Sequence, residues 1–303
     1  MQMPQRRSRM RRTRTGKRIE LTSRDIEIFK LLDRYRYLRS TYLHAFVGGA
    51  SRTRFKERLG DLFHEGYLDR PEQQWQFANA RYEPAVYEIG QGALRALRAT
   101  GEVTGNQFTF LGKAVHHQFQ HSLMICQILA SLDLGVRAVP GLRFIAWPEI
   151  VGRAPEATRS SGTPFRLPLP SGGYLVPDGL FGLQYCQGAR PLYRFFAVEA
   201  DRGTMPLLRT NSRQSSLIGK IETYRAAYAA GRHRTNWGVP NLLVLVVTTE
   251  EARARGLLTA CTSTDPAVLC RSVFIQDLTV PCPTLLTEPW DRVAGTPLLL
   301  ATL

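Results

Sequence analysis

The sequence predicts an α+β chain whose larger part is α/β: a small helical domain closed by a hairpin over residues 21–99, then a mixed-sheet α/β domain over 140–303. Three observations carry this expectation. Apolar residues recur at helical spacing through the first hundred positions, and near residue 140 the texture changes to short β-like runs alternating with helices. Ahead of both stands a run of cations with no acid.

In the helical part, Thr22-Ser23-Arg24-Asp25 is a capping box that opens a first helix, and Ile28, Leu31, Leu32 and Tyr35 make one apolar face. Ser40 caps a second, short helix over Thr41–Val47, stopped by Gly48-Gly49. Ser51 begins a third, burying Phe55, Leu59, Leu62 and Phe63 and ending at Gly66. An extended segment from Tyr67, a polar loop over 70–81 and a strand over Val86–Ile89 complete a hairpin. Three helices followed by a hairpin is the order of a winged helix-turn-helix, whose third helix enters the major groove. On that helix Arg52, Arg54, Lys56 and Arg58 are the candidate DNA contacts, with Glu57 and Asp61 either adding specificity or pairing with the arginines. Arg81, at the end of the wing loop, is a further phosphate candidate. The plain alternative is a winged helix used for protein contacts or for a homodimer.

Charge sets the function class. The 40 Lys and Arg against 25 Asp and Glu give +15, which argues for a polyanionic partner. Arg6, Arg7, Arg9, Arg11, Arg12, Arg14, Lys17 and Arg18 supply eight of those charges, so residues 1–20 are expected to be a mobile, disordered basic arm. Such an arm binds phosphate by counterion release, blind to sequence; otherwise it is a solvated tail that aids solubility. No run approaches the roughly 20 apolar residues of a membrane span, and the basic start lacks the apolar core of a secretory signal. Five cysteines without a Cys-x-x-Cys read as reduced thiols. The expected setting is cytoplasmic, with no membrane partner.

Residues 100–139 form a connector with one long helix, expected over 116–133. His117 and His121 lie one turn apart on it; metal binding lacks a third ligand there, and packing is the alternative. Beyond it, β-like runs at Phe144–Trp147, Tyr174–Val176, Leu180–Leu183, Tyr193–Val198, Leu242–Thr248 and Val273–Ile275 alternate with helices carrying Leu217, Ile221, Tyr224 and Tyr228, and then Glu250–Leu257. Neither a nucleophile elbow nor a phosphate-cradling Gly-x-x-x-x-Gly-Lys-Ser/Thr is present, which argues against serine hydrolysis and motor activity.

The chemistry-bearing residues are carboxylates. Asp178, in Pro177-Asp178-Gly179, stands between two β-like runs, and Glu199 and Asp201 share one face at the end of a third. Were Asp178 on the neighbouring strand, it would meet Glu199 in an oxygen site for Mg²⁺, with Glu149 as a third ligand. Otherwise Asp178 is a turn residue, and Glu199 and Asp201 pair with arginines such as Arg202 or Arg194.

Pro-Asp followed by Glu-x-Lys resembles the PD-(D/E)XK nuclease superfamily, with Asp178 and Glu199 at its acidic positions. The lysine position holds Asp201, and Lys220, on the edge of the 214–230 helix, is the candidate substitute. A longer set resembles the replication-relaxation family of plasmids and integrative elements. It comprises the N-terminal helical segment, Tyr87-Glu88-Ile89 before a Gly-Ala-Leu helix start, the His121 helix, Val176-Pro177-Asp178-Gly179, Val198 to Thr204, and Lys220-Ile221-x-x-Tyr224. The resemblance implies DNA-associated work on a mobile element: replication, relaxation or mobilisation, beside a relaxase, recombinase or other element protein. The expected function is binding of double-stranded DNA with nicking or cleavage by a divalent metal through Asp178, Glu199, Asp201 and Lys220. The alternative is a noncatalytic DNA-binding regulator or accessory factor whose nuclease-like domain is inert.

Overall fold

A computed structural model describes residues 7–76, 79–101, 119–186, 190–207, 216–261 and 266–303. The chain divides into two compact units, Met1–Ala130 with Thr279–Pro281 and Ser131–Leu278 with Cys282–Leu303.

The first unit opens with α1 (Ser23–Tyr35), whose capping box forms as the sequence predicts. Thr22 accepts from the Asp25 amide, and the Asp25 carboxylate accepts from the Thr22 amide at 2.8 Å. Then come β1 (Leu38–Arg39), α2 (Ser40–Val47), α3 (Arg52–His64), β2 (Leu68–Asp69), β3 (Val86–Ile89) and α4 (Gln91–Ala99). The expected hairpin is one strand larger, because Leu38 and Arg39 add to β3 and give an antiparallel sheet ordered β1-β3-β2. Ile28, Phe29, Leu32, Leu43, Leu59 and Leu62 are fully buried between the helices. Gly90 joins β3 to α4, and any Cβ there would lie 2.7 Å from the Tyr67 carbonyl oxygen, so only glycine fits this approach.

The β2–β3 pair places Asp69 directly opposite Glu88. Burial, and then Asp69, push the Glu88 carboxyl up to about 7. A carboxyl whose folded pKa exceeds its unfolded value stabilises the fold below the unfolded pKa, and that contribution is lost as pH rises through the folded one. Glu88→Gln is therefore expected to flatten the fall in stability between the ordinary glutamate pKa and about pH 7, read from denaturant midpoints across that window.

Residues 7–18, expected as a mobile arm, form neither helix nor strand and make contacts with α3 and the hairpin. Arg7 and Lys17 pair with Asp61 at 2.5 and 2.7 Å, and the Thr15 amide donates to Glu65 at 2.9 Å. Arg12 donates to the Phe63 and Leu68 carbonyls and pairs with Asp69. Arg6 lies outside the described residues.

Helix α5 is described over Phe119–Arg137 and runs one turn beyond the expected end at Asp133, while residues 116–118 of the expected helix lie outside the described residues. Among the described residues it alone has the length and hydropathy of a membrane span, and 78% of its apolar window is buried inside the protein. That burial is what a core helix requires. His117 lies outside the described residues, and no group of three metal-ligating side chains exists among those described.

The second unit continues with β4 (Leu142–Ala146), α6 (Trp147–Gly152), α7 (Glu156–Arg159), β5 (Leu167–Pro168), β6 (Tyr174–Leu175), β7 (Gly179–Tyr185), β8 (Leu192–Asp201), α8 (Leu217–Ala229) and α9 (Arg232–Trp237). It ends with β9 (Leu243–Thr248), α10 (Glu251–Ala260), β10 (Val268–Ser272), α11 (Thr284–Thr287) and β11 (Asp291–Arg292). Six strands form a mixed sheet ordered β11-β10-β9-β8-β7-β4, in which β8, β9 and β10 are parallel and the others antiparallel to their neighbours. The two parallel connections run through α8 and α10, as strand–helix–strand units demand. Phe144, Phe181 and Phe196 stack across β4, β7 and β8 at 5.3 and 4.9 Å between ring centres.

Two sequence expectations shift. Trp147 opens α6 rather than ending β4, because Pro148 suits the first turn of a helix. The last parallel strand is Val268–Ser272, not Val273–Ile275, whose Phe274 and Ile275 are exposed. The segment from Cys282 completes this unit, with Trp290 fully buried and β11 on the sheet edge.

Candidate active site

The register of β7 and β8 builds the site. Gly179 faces Val198, so the residue entering β7, Asp178, meets the end of β8 beside Glu199. Its Oδ2 accepts from the Ala200 amide at 3.0 Å, which fixes the carboxylate at the sheet end rather than in a closed turn. Glu199 is 3% exposed, on the face of β8 covered by α8. Ser216 caps α8 by accepting from the Gly219 amide at 3.0 Å, and Lys220 and Tyr224 follow one turn apart on the face toward β8. Lys220 Nζ lies 2.5 Å from Glu199 Oε2 and 3.5 Å from Asp178 Oδ1. The Tyr224 hydroxyl donates to Glu199 Oε1 at 2.5 Å. Lys220 thus reaches both carboxylates from a helix that begins sixteen residues after β8 ends.

Electrostatics follow from burial. Desolvation and the adjacent Asp178 charge push the Glu199 carboxyl up to about 8, against the pull of Lys220 and Tyr224. Burial works against the Lys220 ammonium, yet Glu199 and Asp178 outweigh it and hold its pKa above the usual lysine value. Burial, then Glu199, raises the Tyr224 phenol well above its ordinary value, so it stays a donor. The cluster is therefore tightly coupled: burial disfavours the Glu199 charge, and Lys220 is the partner that favours it.

Asp201 shares the face of Glu199 but is engaged elsewhere. It accepts from Arg253 of α10 through both carboxylate oxygens and from the Gly203 amide at 3.1 Å. With side-chain exposures of 5% for Asp201 and 14% for Arg253, this is a buried ion pair that ties β8 to α10. The sequence places Asp201 among the expected catalytic residues; here a fork-shaped guanidinium engages both of its oxygens. Glu149, expected as a third metal ligand, is likewise engaged by arginines. Its oxygens bind Arg143 at 2.8 Å and Arg153 at 2.9 Å, which holds its carboxyl below the usual range, and it does not join Asp178 and Glu199 in a three-ligand group.

In the first unit, Arg52, Arg54 and Lys56 stand exposed on the first two turns of α3, and Arg81 is exposed on the connection between β2 and β3. Arg58 does not join them. It points inward to Asp25, itself 1% exposed, with Nε at 3.1 Å and Nη2 at 2.6 Å, so it braces α3 against the α1 cap. Arg9 donates to the Arg81 and Glu83 carbonyls, and Arg11 and Arg14 are exposed on the same segment. Sequence reasoning missed the Tyr224 hydroxyl and Arg253. The four-residue spacing of Lys220 and Tyr224 carried a signal for the first; nothing in the sequence linked Arg253 to a residue 52 positions earlier.

A family model for replication-relaxation proteins matches residues 29–243, more than half of the 303. No curated protein and no solved structure matches the chain.

Proposed function

We propose that this chain, which belongs to the replication-relaxation family, binds duplex DNA with its first unit and cuts a phosphodiester with a divalent metal at the Asp178–Glu199–Lys220 cluster. Membership in the family supports work in DNA replication or mobile-element processing. The finer reading rests on one observation: Lys220 reaches Glu199 and Asp178 together, although the position two after Glu199 is Asp201. That set has the chemistry of a PD-(D/E)XK site whose lysine has moved to the following helix.

The residues fit Mg²⁺. This ion takes one or two carboxylates and fills its remaining positions with waters and substrate phosphate, so Asp178 and Glu199 suffice. Glu199, raised to about 8 beside a second carboxylate, is what a bound cation would relieve. The ion would supply Lewis acidity toward the phosphate and a more acidic water. Asp178, anchored by the Ala200 amide, and Glu199, anchored by Tyr224, orient that charge, and Lys220 places a positive charge beside the reacting phosphate.

For the first unit, the order α1–β1–α2–α3–β2–β3, with the three strands in one antiparallel sheet, supports a winged helix-turn-helix with α3 toward the major groove. Arg52, Arg54 and Lys56, exposed on its early turns, then contact bases and phosphates. Arg54→Ala is expected to weaken binding of a cognate duplex by about tenfold in a fluorescence anisotropy titration at fixed salt. Unchanged affinity would remove α3 from the interface.

A second reading has its own observation. Lys220 already neutralises Asp178 and Glu199, the arrangement of a structural ion pair, and this favours an accessory binder with an inert second unit. Metal-dependent cleavage separates the two.

A further inference from the structure

The arm is the part of the molecule that departs most from expectation, and what holds it is specific. Between Arg7 and Arg18 there are seven cations and no acid. The surface that receives them is acidic where the rest of α3 is basic. Asp61 takes Arg7 and Lys17, Glu65 takes the Thr15 amide and hydroxyl, and Asp69 takes Arg12. His64 Nδ1 accepts from the Thr13 amide at 3.1 Å, and the guanidinium of Arg9 lies 5.3 Å from the Trp75 ring centre. All seven cations are exposed at the surface, the seated ones included, and Arg11, Arg14 and Arg18 take no part in these contacts.

We infer that the acidic edge of α3 and β2 is a clasp for the chain's own arm, and that nucleic acid phosphates and these carboxylates compete for the same cations. The inference rests on the DNA-binding reading for its external ligand, and on the seated arm for its internal one. The chemistry of exchange is favourable. The ion pairs to Asp61 and Asp69 involve partly exposed side chains, and such pairs are individually weak and screened by salt. A phosphate backbone offers a dense row of anions and releases counterions on binding, which no isolated carboxylate does. Arg11, Arg14 and Arg18, which hold none of these carboxylates, meet phosphate first; Arg7, Arg12 and Lys17, exposed as well, follow as their carboxylate partners are replaced. Closed, the clasp lowers nonspecific affinity, and so makes placement depend more on α3.

The test is a double-mutant cycle on the full chain. One arm of the cycle is Asp61→Asn, Glu65→Gln and Asp69→Asn together. The other is Arg7→Gln, Arg12→Gln and Lys17→Gln. Affinity for a noncognate duplex and for heparin is measured against salt, with trypsin clipping of the arm as a readout of its seating. Removing carboxylates anywhere raises affinity for a polyanion, so the cycle isolates the clasp. The expected result is faster clipping of the carboxamide variant, about threefold or more tighter binding, and a steeper salt slope. That gain should shrink to its general electrostatic part when the three arm cations are already glutamine. An equal gain in both backgrounds, or clipping at the wild-type rate, overturns the clasp. Failure of the wild-type chain to bind either polyanion overturns the DNA-binding reading instead, so the two failures are distinguishable.

Discussion

Lys220→Met is expected to lower metal-dependent DNA cleavage by about 10²- to 10³-fold while leaving DNA affinity and folding nearly unchanged, because one preorganised charge at a reacting group contributes about that much. Methionine keeps the length of the lysine stem and removes only its ammonium, which touches both Glu199 and Asp178. Folding should tolerate the loss. Burial and Asp178 already push the Glu199 carboxyl up to about 8, so without Lys220 it holds a proton and keeps its hydrogen bond to the Tyr224 hydroxyl. Cleavage should not tolerate it, since the charge beside the scissile phosphate is gone. A structural role for Lys220 predicts the reverse: lower stability and no separate effect on turnover. Single-turnover cleavage measured beside denaturant midpoints tells these apart.

Arg253→Ala should be the most destabilising single substitution at the sheet end, by about 3–5 kcal/mol, the range for breaking one side of a buried ion pair. Asp201 is 6% exposed, and its carboxylate is held by Arg253 from the side and the Gly203 amide from below. Arg253 also donates to the Met205 carbonyl, so its loss orphans a second acceptor. Truncating Asp201 as well removes the stranded charge, and the double variant Asp201→Ala/Arg253→Ala should recover part of the loss. Denaturant midpoints of the single and double variants measure both quantities. If Asp201 were catalytic rather than structural, Arg253→Ala would alter cleavage with little change in midpoint.

Much of the architecture was legible in the chain because it is local. The Thr22–Asp25 box, the helical apolar spacing behind it and the Gly48 stop describe interactions within a few residues, and the structure has them at those places. The Asp178–Glu199 meeting was legible for a different reason. Strand alternation fixes the face of Glu199, and an antiparallel neighbour brings Asp178 to it. The PD-(D/E)XK resemblance calls for a lysine, and the place of Lys220 at the edge of the apolar helix face points to it. What sequence could not supply were pairings set by tertiary approach. Arg58 reads as an exposed cation by angle, but the α1 cap gives it a buried carboxylate 33 residues away. Asp201 and Glu149 were assigned by residue type; Asp201 is held by Arg253 of α10, and Glu149 by Arg143 of β4 and by Arg153 at the end of its own helix. The arm misled most: composition describes repulsion among its own cations and is silent about Asp61, Glu65 and Asp69, which offset it.

The central claim, metal-dependent cleavage at Asp178, Glu199 and Lys220, is tested most directly by incubating the full chain with supercoiled plasmid carrying target sequences. Mg²⁺ or Mn²⁺ is compared with EDTA, and wild type with Asp178→Asn, which retains an oxygen to accept from the Ala200 amide but carries no charge. The account predicts nicked or linear plasmid with metal and wild-type protein, and intact supercoil both with EDTA and with Asp178→Asn. Retarded but uncut plasmid in every lane, or cleavage that survives Asp178→Asn, would contradict it.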